Sequence, residues 1–282
     1  MSLSVDLDGE EATMSQSVDL YGTAYGNFAT DVLAQVRRDT YGEDFGQSSW
    51  VTGPEYRRFF QLLELAAADH VLDVGCGSGG PAVFLAREIG CRVTGVDVSE
   101  AGIQAGLTLA RQAGLEDRAR FRRADVRDPL PFPDQAFDAI VCMDAMCHMP
   151  DRLGLLGEWR RVLRPGGRLL YTDPVVVTGL VSNEELATRS STGYFEFCPP
   201  GVNERLIGQA GFELVRAEDV TENEVEVSHR WHAARQQRAA ELTRLEGEAT
   251  FAGLQRFLAT VRRLTNERRL SRFAYLGRKP GA

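Results

Sequence analysis

The sequence predicts an α/β fold, an open and mostly parallel sheet with helices on both faces. Three observations carry that expectation. From His70 to Asp173, short apolar runs alternate with stretches of helical spacing. The first apolar run ends in glycines, as a buried parallel strand does before a ligand-binding turn. The chain has 282 residues, 43% hydrophobic and 26% charged. That suits one large globular domain or two small ones and excludes disordered, collagen-like and fibrous classes.

Taken in order, residues 1–16 are acidic and polar, read as a flexible tail, and lack the apolar centre of a secretory signal. Residues 17–69 are expected to form an N-terminal helical cap. Phe28, Val32, Leu33 and Val36 recur at helical spacing and predict a helix over about 27–38. A loop from Tyr41 to Trp50 follows, rich in groups that can grip a ligand or simply turn the chain between helices. The main domain, 70–282, opens with strand Val71–Val74 and a helix over about 80–89. Strand Arg92–Val96 and a helix from Glu100 to Ala113 come next, with Ser99 as N-cap. Strands Ala119–Arg123 and Phe137–Met143, helix Asp151–Leu163 and strand Arg168–Thr172 continue the rhythm, with Arg164-Pro165-Gly166-Gly167 as a turn. Insertions at 174–200 and 222–268 are expected to fold back as a helical cover, or lid. Between them lie helix Asn203–Ala210 and strand Phe212–Val215. In the second insertion Phe251, Leu254, Leu258, Val261 and Leu264 recur at three- and four-residue steps. Ser271–Gly277 is the last strand.

The formal net charge is −8. Such a surface repels phosphate backbones, so nucleic acid is not expected as a partner. No run of about 18 apolar residues occurs, so neither a transmembrane helix nor a membrane partner is expected. The charge is uneven: Ser228–Ala282 holds 12 Lys and Arg against 4 Glu. That segment reads as a solvated helix surface or, more sharply, as a lid that attracts an acidic substrate. Cys76, Cys91, Cys142, Cys147 and Cys198 include no C-x-x-C pair. Buried thiols in a reducing cytoplasm are expected rather than disulfides or zinc. The sequence leaves a homo-oligomer open.

Asp73-Val74-Gly75-Cys76-Gly77-Ser78-Gly79-Gly80 carries the spacing G-x-G-x-x-G at Gly75, Gly77 and Gly80. Such glycines let the backbone turn tightly and touch a ligand, and alone they fit dinucleotide enzymes as well as others. Asp97 ends the second strand, where a carboxylate can accept from both hydroxyls of a ribose. Asp73 breaks the tie: it would repel a pyrophosphate, whereas a cationic amine and sulfonium would welcome it. Asp125 closes the third strand and can accept from an adenine amino group, with Val126 flanking the base. The fourth strand runs into Met143-Asp144-Ala145-Met146-Cys147-His148. Open α/β sheets bind ligands at that edge, so Asp144 and His148 are expected to line the substrate pocket. A histidine there can take a proton near neutrality.

On Val71–Gly80, Val93–Ser99, Ala124–Val126, Phe137–Cys142 and Leu163–Leu169, in that order, the chain resembles the class I S-adenosylmethionine-dependent methyltransferases. The resemblance implies a Rossmann-like seven-stranded sheet, mostly parallel with an antiparallel last strand, and S-adenosyl-L-methionine as cofactor. It implies Asp97 and Val98 at the ribose, Asp125 and Val126 at the adenine, and Asp73, Gly75, Cys76, Gly77 and Met143 along the rest of the cofactor. The stretch around Asp144 and His148 is most similar to phosphoethanolamine and glycine/sarcosine-type N-methyltransferases. That similarity implies substrate contact by both residues, with Tyr21 or Tyr25 assisting the histidine; Tyr21 is taken for that role and Tyr25 for the cofactor. It also implies Gln47 and Ser48 near the methionine moiety. Only Arg189 and Tyr194 within 174–200 could meet a phosphate, and the sole lysine is Lys279, so phosphoethanolamine itself is not the expected acceptor.

The expected function is methyl transfer to an amine nitrogen of a small metabolite, by an in-line displacement that depends on positioning more than on covalent chemistry. C- or O-methylation of a natural-product or aromatic metabolite is the alternative. Behind these stand protein or RNA methylation, an NAD-dependent oxidoreductase and a catalytically silent nucleotide-binding scaffold. No metal is expected, since the histidines offer no ligand spacing. Trp50 with Phe45, and Trp231 with His229 and His232, are candidates for a cover that excludes water.

Overall fold

A computed structural model describes residues 20–281, and the tail expected over 1–16 lies outside them. Three helices precede the sheet: α1 (Leu20–Gly26), α2 (Asp31–Tyr41) and α3 (Gly53–Leu63). The helix predicted over 27–38 is α2, which begins four residues later, at Asp31, and α1 before it was not expected as an element. Asn27 and Thr30 lie in the turn between them. The Asn27 side-chain amide donates to Thr23 O at 3.0 Å, and the Asn27 carbonyl accepts from Thr30 Oγ1 at 2.8 Å. Side chains thus take over partners that a continuous helix would use. Helix α3 was not anticipated as an element. Pro54 in its first turn and a buried face of Tyr56, Phe59, Phe60 and Leu63 account for it.

The sheet contains β1 (His70–Val74), β2 (Arg92–Asp97), β3 (Ala119–Arg123), β4 (Phe137–Cys142), β5 (Leu163–Val177), β6 (Glu213–Asp219) and β7 (Leu270–Arg278). Their order is β3-β2-β1-β4-β5-β7-β6. Strand β7 inserts between β5 and β6, antiparallel to both, and the other pairs are parallel. This is the Rossmann-like, mostly parallel seven-stranded sheet. Strands β1 and β4 are buried along almost their whole length, which explains their unbroken apolar runs. Helices α4 (Gly80–Ile89), α5 (Glu100–Gln112), α6 (Arg152–Val162) and α8 (Val202–Gln209) follow their strands and complete the α/β layering. One core gathers Phe59, Phe84 and Leu85; another gathers Leu156, Trp159 and Tyr171.

The first insertion carries α7 (Asn183–Arg189), started by a capping box of Ser182 and Glu185. The helical stretch 222–268 is three helices, α9 (Thr221–Gln237), α10 (Ala239–Glu246) and α11 (Glu248–Asn266). Gly247, at φ 85°, makes the second break where a side chain would be strained. Helix α9 packs on α2 and α11. Trp50, Val227, Phe257, Leu258 and Val261 form the apolar cluster there, with Trp231 packed on it. Several arginines of the basic segment are engaged: Arg263 and Arg269 with Glu185, Arg268 with Asp219 and Glu222, and Arg278 with Glu213. That pattern accords with a paired helix surface rather than a free cationic lid. Among the described residues no helix is long and apolar enough to cross a membrane.

The loop before α3 closes directly onto the start of α4. A Cβ on Gly80 would stand 2.1 Å from Phe45 O and 2.6 Å from Gly46 C, both backbone atoms. Ser78 Oγ donates to Gly46 O at 2.7 Å, so the approach is held as well as permitted. Gly80→Ala is expected to destabilise the protein by about 1–3 kcal/mol. The reading is a lower urea midpoint with an unchanged slope. A midpoint equal to the parent's would show that this contact can relax freely.

Candidate active site

A cavity of about 560 Å³ opens at the carboxyl ends of β1, β2 and β4, beneath α1 and the α9–α11 cover. Every residue expected at the site lines it except Gln47. That residue needs correcting. Gln47 is buried within its own loop, its Nε2 donating to Glu43 O at 2.7 Å and its Oε1 accepting from Phe45 N–H at 3.0 Å. Its amide therefore shapes the loop, while Ser48 beside it reaches the cavity.

One half of the cavity is built from backbone and carboxylates. Gly77 lies at φ 54°, and a Cβ there would stand 2.6 Å from Tyr25 Oη, so the tyrosine closes directly over the glycine loop. Asp97 accepts from Gly77 N–H at 2.9 Å and from Ser99 N–H at 2.8 Å, one on each oxygen. Each carboxylate oxygen keeps a further lone pair for a ligand hydroxyl. Burial raises the Asp97 carboxyl above its ordinary range. Asp73 is only 3% exposed, and no cation pairs with it among the described residues. Burial, and then Asp97, push it up to about 7. Asp125 sits nearer solvent, where Arg127 binds it and pulls it down to about 2. Val98 is exposed and Val126 half-buried beside it, whereas Cys76 and Met143 are buried in the wall.

These groups fit S-adenosylmethionine. An unneutralised buried carboxyl next to open backbone suits a cation, and it would repel a pyrophosphate.

The other half is aromatic and carries a titratable pair. His148 ends a single 3₁₀ turn, Met146–His148, just past β4. Its Nδ1 lies 2.8 Å from Tyr194 O, an oxygen that can only accept, so Nδ1 carries the proton. Nε2 is then a lone pair, and Tyr21 Oη donates to it at 2.8 Å. Burial lowers the His148 pKa and raises that of Tyr21. The pair is therefore a neutral imidazole and a protonated phenol. Trp50, Trp231, Phe195 and Phe257 supply the apolar wall.

Asp144 stands in that wall at φ 56°, a backbone conformation that Asp tolerates better than most residues. Its oxygens are already engaged. Oδ2 accepts from Trp50 N–H at 2.8 Å, and Oδ1 accepts from Arg272 Nε and Thr172 Oγ1, both at 2.7 Å. Arg272 also bonds Glu55 at 2.9 Å. Sequence reasoning missed Glu55 and Arg272. The available signal was a guanidinium in the middle of an apolar strand, Leu270-Ser271-Arg272-Phe273-Ala274-Tyr275. Arg189 and Glu224 also meet beside this half, with Arg189 lining the cavity.

The state of Asp73 gives a test. A ligand cation beside it would return the carboxyl toward its ordinary range, so binding expels a proton. Affinity for S-adenosylmethionine is expected to rise with pH up to about 7 and then to level. Calorimetry in buffers of differing ionisation heat should record the released proton. Asp73→Asn is expected to remove this rise and to weaken binding by about tenfold or more. An unvarying affinity below pH 7 in the parent would show that Asp73 does not face the ligand's charge.

Residues 71–167 match a family model described as a methyltransferase domain. Methyltransferase GfsG of Streptomyces halstedii is 39% identical over 171 residues, 58% of this chain and 60% of that protein. The 27-O-demethylrifamycin SV methyltransferase of Amycolatopsis mediterranei is 30% identical over 252 residues, 84% of this chain and 90% of that protein. Among solved structures, the [4+2]-cyclase SpnF superposes with a TM-score of 0.70 at 25% identity, over 95% of this chain and 98% of that one. A matching domain, a relative alike along nearly its whole length, and a cavity suited to the cofactor lead to one assignment: the chain belongs to the class I S-adenosylmethionine-dependent methyltransferases.

Proposed function

We propose that the enzyme methylates a hydroxyl oxygen on a small, largely apolar metabolite. The observation that carries this reading is the Tyr21–His148 pair beside the Arg189 cation: its tautomer leaves a basic lone pair on Nε2. A hydroxyl gives up its proton as it attacks, and a neutral, half-buried imidazole can take it. An alkylamine arrives as an ammonium and must shed a proton too, so the charge of the surroundings decides between them. The aromatic wall suits an apolar body. The amine acceptor expected from the sequence has less support: this half of the cavity holds the Arg189 cation, and the Asp144 carboxylate is already bonded. The relative named for 27-O-demethylrifamycin SV points the same way, since that name records a missing methyl on oxygen.

In this reading Asp97 accepts from the ribose hydroxyls through its free lone pairs. Asp125, Val98 and Val126 border the adenine. Asp73, Gly75, Cys76, Gly77 and Met143 surround the methionine end, with Ser48 and Tyr25 closing over it. When bound, S-adenosylmethionine supplies an electrophilic methyl on a sulfonium. The chain's own share is positioning, proton transfer and dryness. Holding the acceptor oxygen in line is the largest of these, on the order of 7–11 kcal/mol in ideal cases. During transfer the acceptor's proton would pass to Tyr21 Oη while the Tyr21 proton moves to His148 Nε2, leaving an imidazolium. Asp144 acts through its neighbours as a positioning residue. The cap loop and the α9–α11 cover, with Trp50, Trp231 and Phe257, exclude water.

His148→Ala is expected to cut turnover by about 10²–10⁴ while cofactor affinity stays near the parent value. Tyr21→Phe should slow transfer in the same direction. Because burial lowers the His148 pKa, the acid limb of the rate profile is expected below the usual imidazole range. The measurement is transfer of labelled methyl across a panel of phenols, aliphatic alcohols, indoles and amines. Labelling confined to amines, or a loss under about tenfold in His148→Ala, would overturn the proposal.

A further inference from the structure

We infer that Arg189, backed by Glu224, forms a recognition site for an anionic oxygen group, in the simplest case a carboxylate, carried by the methyl acceptor. The inference deepens the hydroxyl reading and rests on it for the use of this half of the cavity as the acceptor site.

Arg189 closes α7, is only 1% exposed and lines the cavity. Its guanidinium lies between two rings, with Cζ 4.5 Å from the Phe195 centroid and 5.1 Å from that of Phe257. Rings attract the cation but accept no ordinary hydrogen bond from it. Glu224 Oε1 stands 4.0 Å from Nη2, too far for one. Nε and Nη1 bond nothing among the described residues, and neither oxygen of Glu224 does.

The other buried arginines behave differently. Arg152 bonds Asp173, Arg235 bonds Glu246, and Arg272 bonds Asp144 and Glu55. An arginine cannot shed its proton, so buried donors left open remain a standing cost until an acceptor arrives. Burial raises Glu224 to about 8, so it is mostly protonated at neutral pH and balances the guanidinium poorly. A carboxylate matches the planar fork of Arg189 and completes what Glu224 leaves undone.

Position narrows the ligand further. The Phe195 ring that receives Arg189 also packs 4.4 Å from the His148 ring. Base and anchor are thus separated by a single aromatic ring. An acceptor that reaches both carries its hydroxyl and its acid group on opposite sides of a flat apolar body.

The test is equilibrium binding to enzyme saturated with S-adenosylhomocysteine. The probes are 6-hydroxy-2-naphthoate and 2-naphthol, which differ only in the carboxylate. The naphthoate is expected to bind about tenfold tighter or better. Arg189→Met should erase the preference while leaving affinity for the naphthol and for S-adenosylhomocysteine near the parent values. Arg189→Gln should do the same, so the result does not hang on the folding of one variant. Equal affinity of the two probes in the parent, binding of neither, or a preference that survives both variants would overturn the site. So would a parallel loss of S-adenosylhomocysteine affinity, which would make Arg189 a cofactor contact. A preference that holds while neither probe is methylated counts against the hydroxyl reading and leaves the anchor standing.

Discussion

Asp144 and Arg272 meet at 2.7 Å in the dry centre of the molecule, and the aromatic half of the cavity depends on that contact. Arg272 belongs to the antiparallel strand β7, and Asp144 to the end of β4. Arg272 also holds Glu55 of α3, Asn223 of α9 bonds Glu55 at 2.9 Å, and Trp50 N–H from the cap loop returns to Asp144. Sheet, cap and cover are thereby closed into one polar cluster. A buried ion pair is poor evidence for stability in itself, because desolvation can exceed the attraction. Its value lies in specificity: removing one partner would strand a buried charge, on the order of 3–5 kcal/mol. The cluster also holds Asp144 in its left-handed conformation, and from there the chain turns into Met146–His148. The imidazole therefore owes its place to a guanidinium on another strand.

The two halves of the cavity are made differently. The glycine-loop half uses main-chain amides, glycines and strand-end carboxylates, whose positions follow from the sheet itself. Asp97 shows how little freedom remains, since its two oxygens tie the Gly77 and Ser99 amides together across the β1 and β2 ends. The aromatic half uses side chains from α1, α7, α9, α11 and the loops between them. These pack by area and shape, so they can vary without disturbing the sheet. Within that half the Tyr194 carbonyl, from a loop at the cavity's edge, selects the His148 tautomer.

That division also explains what the sequence disclosed. Strands β1, β2 and β4 were legible to within a residue or so because buried parallel strands are short apolar runs with glycine or aspartate at their tips; β3, a largely exposed edge strand of Ala119-Arg120-Phe121-Arg122-Arg123, was legible from its place in the alternation of strands and helices. Asp73, Asp97, Asp125 and His148 were legible for the same reason, since a strand-end position implies the carboxyl edge of the sheet. The cap was less readable. The helix expected over 27–38 starts only at Asp31, and α1 before it went unread, because Asn27 and Thr30 redirect hydrogen bonds without changing the hydrophobic pattern. Gln47 and Ser48 are neighbours in sequence, yet one faces its own loop and the other the cavity, a distinction that composition does not carry. Glu55 and Glu224 were hidden more deeply. Each is a charged residue in a local context that suggests a surface, and only the tertiary packing of distant elements buries it. Arg272 left a trace as a guanidinium inside an apolar strand, and Arg189 as one of two groups in 174–200 able to meet an anion, yet neither signal disclosed its partner.

The opposite ends of the cavity carry charges that the protein leaves incompletely answered, Asp73 in one half and Arg189 in the other. Both lie where the local dielectric is low, so both penalise the unliganded enzyme. A matched pair of ligands, cationic near Asp73 and anionic near Arg189, relieves both at once. In the proposed transfer positive charge is relocated rather than lost: it would leave the half that holds Asp73 and reappear as the His148 imidazolium, in the half that holds Arg189. Asp73 would then lose its cationic partner, which loosens the hold on one product. Arg189 opposes a second cation beside it, so an anionic group seated on Arg189 would also help His148 to take the proton.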